Sequence, residues 1–136
     1  MERVQGSCLC ESVRFELDGE FGAFYLCYCN RCQKGTGSAH AANLFAQSAK
    51  LNWLQGEHLV KTYRVPECRH AKSFCQHCGS PVPTASDELG SVVVPAGSLD
   101  TPVTTAPTAK ILVASAAGWA LDLNAVTSFE QLPDLV

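Results

Sequence analysis

The chain has 136 residues, 46% of them hydrophobic and 17% charged, with a formal net charge of −3, which suits one hydrophobic core but not two. Its ten Lys and Arg residues are scattered without a run, so neither nucleic acid nor an anionic membrane surface is expected as a partner. The longest apolar stretches fall short of the roughly 20 residues that span a bilayer, and Met1-Glu2-Arg3-Val4-Gln5 lacks the apolar core of a secretory signal, so a single cytosolic domain over residues 1–136 is expected.

In chain order, Cys8-Leu9-Cys10 is followed by an alternating apolar run at 11–17, with Val13, Phe15 and Leu17 on one face, the period of a half-buried strand. A second strand is predicted at 24–28, running into Cys27-Tyr28-Cys29-Asn30-Arg31-Cys32, with a helical turn after Cys29. Further strands are predicted at 39–46, 50–54 and 59–64 before Cys75-Gln76-His77-Cys78, then at 91–95 and 110–114, most of them separated by Gly, Pro, Asn, Asp or Ser. The Thr, Ala and Pro residues of 102–107 read as an ordered loop, and 126–131 as a short helix capped by Thr127 or Ser128 and stopped by Pro133. The fold class is therefore mainly β, with several small antiparallel sheets in a complex meander tied by zinc and little helix.

Seven of the eight cysteines lie in the three clusters. Two thiolates one or two residues apart on a turn grip one zinc ion without strain, and zinc takes about four such ligands. The simplest partition is a closed site from Cys8, Cys10, Cys75 and Cys78, and a three-thiolate site from Cys27, Cys29 and Cys32 that lacks a fourth ligand. Closed sites are structural, whereas an open position holds water or substrate. In a reducing compartment such clusters are more often metal ligands than disulfides. The glycine after Cys78 fits a zinc knuckle, while a redox C-x-x-C needs a parallel βα context that is missing.

Arg31 and Lys34 would favour thiolates at the middle cluster and attract an anionic ligand, or are ordinary solvated charges. The Gly-rich stretch 35–38 offers backbone donors there but lacks the spacing of a phosphate loop. Cys68 reads as a free thiol, with a fourth ligand or redox partner as the minor alternative. His77 decorates its knuckle. His40 could face the second metal, although for His40, His58 and His70 a surface or hydrogen-bonded role is the better reading.

The order of these motifs resembles the family of glutathione-dependent formaldehyde-activating enzymes, which includes the centromere-protein-V-like proteins. The likeness is carried by Gly6-Ser7-Cys8-Leu9-Cys10 with Val13 and Phe15, by the middle cluster with Gln33, Lys34 and Gly37, by Phe74-Cys75-Gln76-His77-Cys78-Gly79-Ser80, and by Ala96-Gly97-Ser98-Leu99-Asp100. Trp119 and Leu132-Pro133 are weaker matches, and Tyr28, Gln33 and Gly118 depart from the residues common among relatives. The resemblance implies a structural zinc on Cys8, Cys10, Cys75 and Cys78, and a labile catalytic zinc on Cys27, Cys29 and Cys32. It implies a carbon-sulfur lyase activity that joins glutathione or a similar thiol to formaldehyde or a related aldehyde, or cleaves the adduct. Arg31 and Lys34 are then candidates to pair with a glutathione carboxylate. The competing readings are a non-enzymatic zinc-stabilised protein-binding module and a thiol redox or metal-handling protein.

Overall fold

The structure, a computed structural model, describes residues 2–86 and 90–134. The chain enters as β1 (Glu2–Ser7), turns through the first cysteine pair and returns antiparallel as β2 (Arg14–Cys27). A seven-residue helix, α1 (Asn30–Thr36), reverses it into β3 (Ala41–Gln55), which runs antiparallel along β2 with Cys27 opposite Ala41. The strands β4 (Val60–Arg64), β5 (Ala71–Cys75) and β6 (Pro81–Val82) make a separate three-stranded antiparallel sheet. The chain then rejoins the first sheet as β7 (Thr84–Ser86) and β8 (Ser91–Pro95), giving the order β1-β2-β3-β8-β7. Finally β9 (Ala109–Ile111) lies parallel to the last three residues of β2.

The two longest strands are each the fusion of two that the sequence predicts separately. The runs 11–17 and 24–28 both fall largely within β2, and 39–46 and 50–54 within β3. The reason is irregular pairing: the register slips between Asp18 and Glu20 and again between Phe21 and Ala23. Such bulges bend a strand and reset which residues face inward without ending it. Inward positions of four strands, Val4, Leu17, Leu44, Ala46, Val92 and Val94, meet in the main core, and each fully buried Val or Leu contributes about 1.5–3 kcal/mol. A second core lies where the two sheets meet, built from Val13, Leu59 and Val82 around Cys8 and Cys75.

Three expectations are corrected. Segment 126–131 is not helical: a 3-10 turn at Leu123–Ala125 precedes it, and Val126 and Phe129 are exposed, so the capping signals have no apolar face to bury. The strand at 110–114 is shorter, ending at Ile111 before a 3-10 turn at Val113–Ser115. Its pairing is parallel, so the meander is not purely antiparallel. The loop 102–107 is fastened at both ends by threonine hydroxyls, Thr101 accepting from Gln5 N–H at 2.9 Å and Thr108 from Phe24 N–H at 3.0 Å. Among the described residues no helix is long and apolar enough to cross a membrane.

Gly6 stands opposite fully buried Phe15. A Cβ at this position would run into the Phe15 ring and the Ser98 carbonyl. Gly6→Ala is therefore expected to destabilise the fold by about 1–3 kcal/mol, the usual cost of overpacking, read as a lower urea midpoint at unchanged m-value.

Candidate metal centres

The sulfurs of Cys8, Cys10, Cys75 and Cys78 all lie within 4.8 Å of one another. Two neighbouring loops produce this. In the first, Cys8 N–H donates to the Val13 carbonyl while Glu11 N–H returns to the Cys8 carbonyl, and Val13 N–H donates to the Cys8 sulfur at 3.3 Å. In the second, Gly79 at φ 74° lets the chain double back, its N–H reaching the Cys75 carbonyl at 2.7 Å, and Cys75 N–H donates to the Ser80 carbonyl. Gly79 thus meets the positive φ that the knuckle demands.

Sulfur separations of 3.6 Å for Cys8 to Cys10 and 3.9 Å for Cys10 to Cys75 are too long for disulfides at about 2.05 Å. They bracket the edge of about 3.8 Å that a tetrahedron with 2.3 Å metal–sulfur bonds requires. The donor set and its dimensions fit a tetrahedral metal ion. Burial pushes the Cys8 thiol up to about 11, while hydrogen bonds from the backbone at Cys10 and Ser80 bring Cys78 down to about 6.

The second group gathers Cys27, Cys29 and Cys32, whose sulfurs are again mutually within 4.8 Å. Cys27 ends β2, Cys29 is the N-cap of α1, and buried Cys32 lies in the first turn of that helix. The Cys29 sulfur accepts from Cys32 N–H at 3.3 Å, as an N-cap side chain does. Burial opposes ionisation of Cys29, but this bond and those with neighbouring thiols outweigh it and lower its pKa. Burial raises that of Cys32. Ala41 and Ile111 pack against the cluster.

Other sequence candidates fall outside both groups. His40 sits edge-on to Tyr28, ring centroids 5.1 Å apart, with its Nδ1 buried and unpartnered among the described residues. Cys68 accepts from His70 N–H at 3.4 Å, and His58 and His77 are exposed. Arg31 and Lys34 are exposed on α1. The stretch 35–38 is a poorer donor loop than its composition suggests, because Gly37 N–H is held by the Gln33 carbonyl and Ser38 N–H by the Thr36 hydroxyl. Gln33 has a role the motif reading missed: its Nε2 donates to the carbonyls of Tyr28 at 2.7 Å and Ser115 at 3.0 Å. Tyr28 N–H also donates to the Ile111 carbonyl. The segment 111–115 is thereby strapped across the triple-cysteine loop, a contact without a local sequence signal.

Residues 3–115 match the model of the glutathione-dependent formaldehyde-activating enzyme family. The chain belongs to this family. No curated protein matches it in sequence. A crystal structure of a Rhodobacter sphaeroides protein is similar in fold, with a TM-score of 0.56 at 20% identity, covering 74% of this chain and 91% of that one. Family membership brings with it the expectation of formaldehyde-activating chemistry, and both cysteine groups could hold a metal ion.

With Cys8 held so high, loading the outer group near neutral pH must expel protons. Metal affinity of the metal-free chain is expected to fall as the pH drops, by about tenfold per unit for each proton displaced. Competition against a chelator between pH 8 and 6 checks this.

Proposed function

We propose that this chain is a zinc-dependent carbon-sulfur lyase, one domain over residues 1–136, that adds glutathione or a similar thiol to formaldehyde or a related aldehyde, or cleaves such an adduct. The observation that carries the reading is the difference between the two sulfur groups: four donors close the outer one, while the middle one brings together three. The outer group is assigned to structural zinc. The middle one is assigned to the reacting centre.

Zinc held by Cys27, Cys29 and Cys32, with a coordination position left over, would supply ionisation of an incoming thiol and polarisation of a carbonyl oxygen. The chain's own residues prepare that position. Cys32 N–H orients the Cys29 sulfur, and the Gln33 side chain fixes the loop between strand and helix. Ala41 and Ile111 limit water at the sulfurs, which strengthens electrostatic interactions there. Arg31 and Lys34, exposed on the adjacent helix, are assigned to pairing with a carboxylate of the thiol substrate. If Lys34→Ala leaves glutathione affinity unchanged, this last assignment falls.

A second reading, a zinc-stabilised protein-binding module, is favoured by the apolar residues exposed in the C-terminal segment, among them Trp119, Leu121 and Leu132. Zinc content separates the two. Protein purified anaerobically is expected to carry two zinc ions per chain, the more labile one responding to glutathione. A single tight zinc despite zinc supplementation would favour the binding module.

Cys75→Ser is expected to lower stability by several kcal/mol or abolish folding, because structural zinc contributes folding free energy outright. Cys29→Ser should remain folded, lose the second zinc and lose adduct formation. Circular dichroism melts with zinc analysis check both, and an active Cys29→Ser protein would exclude the mechanism.

A further inference from the structure

A cleft of about 110 Å³ opens between the two sheets, with Cys32 forming part of its wall. Its remaining surface is mostly small and apolar: Ala41, Ala71, Pro81, Val82, Val93 and Pro95. Asn43 and His70 also line it, and several of its other polar side chains are already committed. The Ser73 hydroxyl is bonded at 2.8 Å to the hydroxyls of both Thr62 and Thr84. Thr36 donates to the Cys32 carbonyl, and the Lys72 ammonium donates to the Gly35 carbonyl. At its far end the cleft shares Ala42, Pro81 and Pro95 with a wider groove of about 550 Å³ that runs past Ser7, Cys8 and Asp100.

Such a cleft is a poor host for either of the small polar groups involved. Formaldehyde has no substituent to place there, and the two carboxylates of glutathione would face mainly apolar walls, an ammonium already engaged and, in His70, an imidazole whose charged form burial and nearby Arg31 disfavour. Burying an unpaired charge in this way is costly. The size is informative too. A dry apolar cavity of about 150 Å³ holds benzene, so this volume suits a chain of about four carbons.

Resting on the lyase reading, we propose that the cleft receives the apolar substituent of the carbonyl partner, so that the substrate class is a short-chain aliphatic aldehyde rather than formaldehyde alone. The thiolate sulfur's electron pair forms the carbon-sulfur bond at the carbonyl carbon. The carbon-oxygen π pair moves onto oxygen, which takes up the proton the thiol released, and nothing is oxidised or reduced. The chain of the resulting thiohemiacetal lies in the cleft, and the reverse step returns thiol and aldehyde.

The test compares formaldehyde, propanal and butanal with glutathione on zinc-loaded protein, each rate expressed relative to its uncatalysed reaction. The same protein is titrated with 1-butanol, an unreactive stand-in for the chain, and followed by methyl NMR. The acceleration of butanal is expected to exceed that of formaldehyde by about tenfold or more, in the range that methylenes contribute to discrimination in an apolar pocket. Butanol is expected to shift the methyl signals of Ala41, Ala71, Val82 and Val93. In Ala71→Phe, or in Ala42→Leu should the first fail to fold, the ratio of butanal to formaldehyde acceleration is expected to fall by about tenfold. Acceleration of formaldehyde but not butanal, or butanol shifts confined to other residues, would overturn the assignment of the cleft and leave the lyase reading standing. Acceleration of none of the aldehydes by protein with two zinc ions would overturn the lyase reading and this inference together.

Discussion

Four sulfurs that belong to two distant loops share one small volume, and both sheets are arranged around that fact. Cys10 and Cys75, 65 positions apart in sequence, have sulfurs 3.9 Å from each other. Cys8 and Cys75 are buried against Val13, Leu59 and Val82 where the sheets meet. Neither sheet is large, and the second has only three strands, so apolar burial alone is a modest source of stability there. Closing a long loop with a metal removes much of the freedom of the unfolded chain. The same closure would tie the loop after β1 to the loop after β5, and so hold the two sheets at the cleft between them.

The middle cysteines answer to a different constraint. Cys27, Cys29 and Cys32 span a strand end, a helix cap and a first turn, so local geometry alone brings their sulfurs together. A site assembled from neighbours in sequence closes no long loop, so filling it would constrain the unfolded chain little. That separation of duties would let a metal in the middle group exchange while one in the outer group stays in place. It also explains why supporting contacts for the middle cluster come from far away. Gln33 holds Ser115, and Ile111 packs on the sulfurs, supplying from the end of the chain the enclosure that a seven-residue helix cannot provide.

The cysteine clusters were legible because ligand chemistry demands particular residues at particular spacing, whatever the surroundings. Both predicted groups are found together in space, as is the helix after Cys29. Strand identity was legible only in pieces. In β2 the alternation of Phe15 and Leu17 is lost beyond the slip at Asp18, and in β3 exposed Gln47 and Ser48, the latter at φ 53°, interrupt the apolar pattern. β1 has Val4 as its one large apolar residue, and β5 buries Ser73 and Cys75 while Phe74 stays partly exposed, so neither announces itself. The strap at 111–115 and the cleft are products of tertiary packing, with partners more than 80 residues apart in the case of Gln33 and Ser115, whose separation is 82. Capping residues near 126–131 had local chemistry in their favour, but Val126 and Phe129 are exposed among the described residues, and propensity without packing does not hold a short helix.

The strap carries a consequence for how the protein is made. Synthesis delivers the chain from its N-terminus, so the ligands of the outer group have all emerged once Cys78 is free, and they can be fixed while the remainder is still being translated. Cys27, Cys29 and Cys32 emerge earlier than Cys75, yet their covering segment, 111–115, follows Cys78. For that interval three closely spaced thiols would lack this cover, and uncovered thiolates are the form that oxidants and metals take up. The order of translation thus leaves the middle cluster waiting longer for its cover than Cys8 and Cys10 wait for their partners.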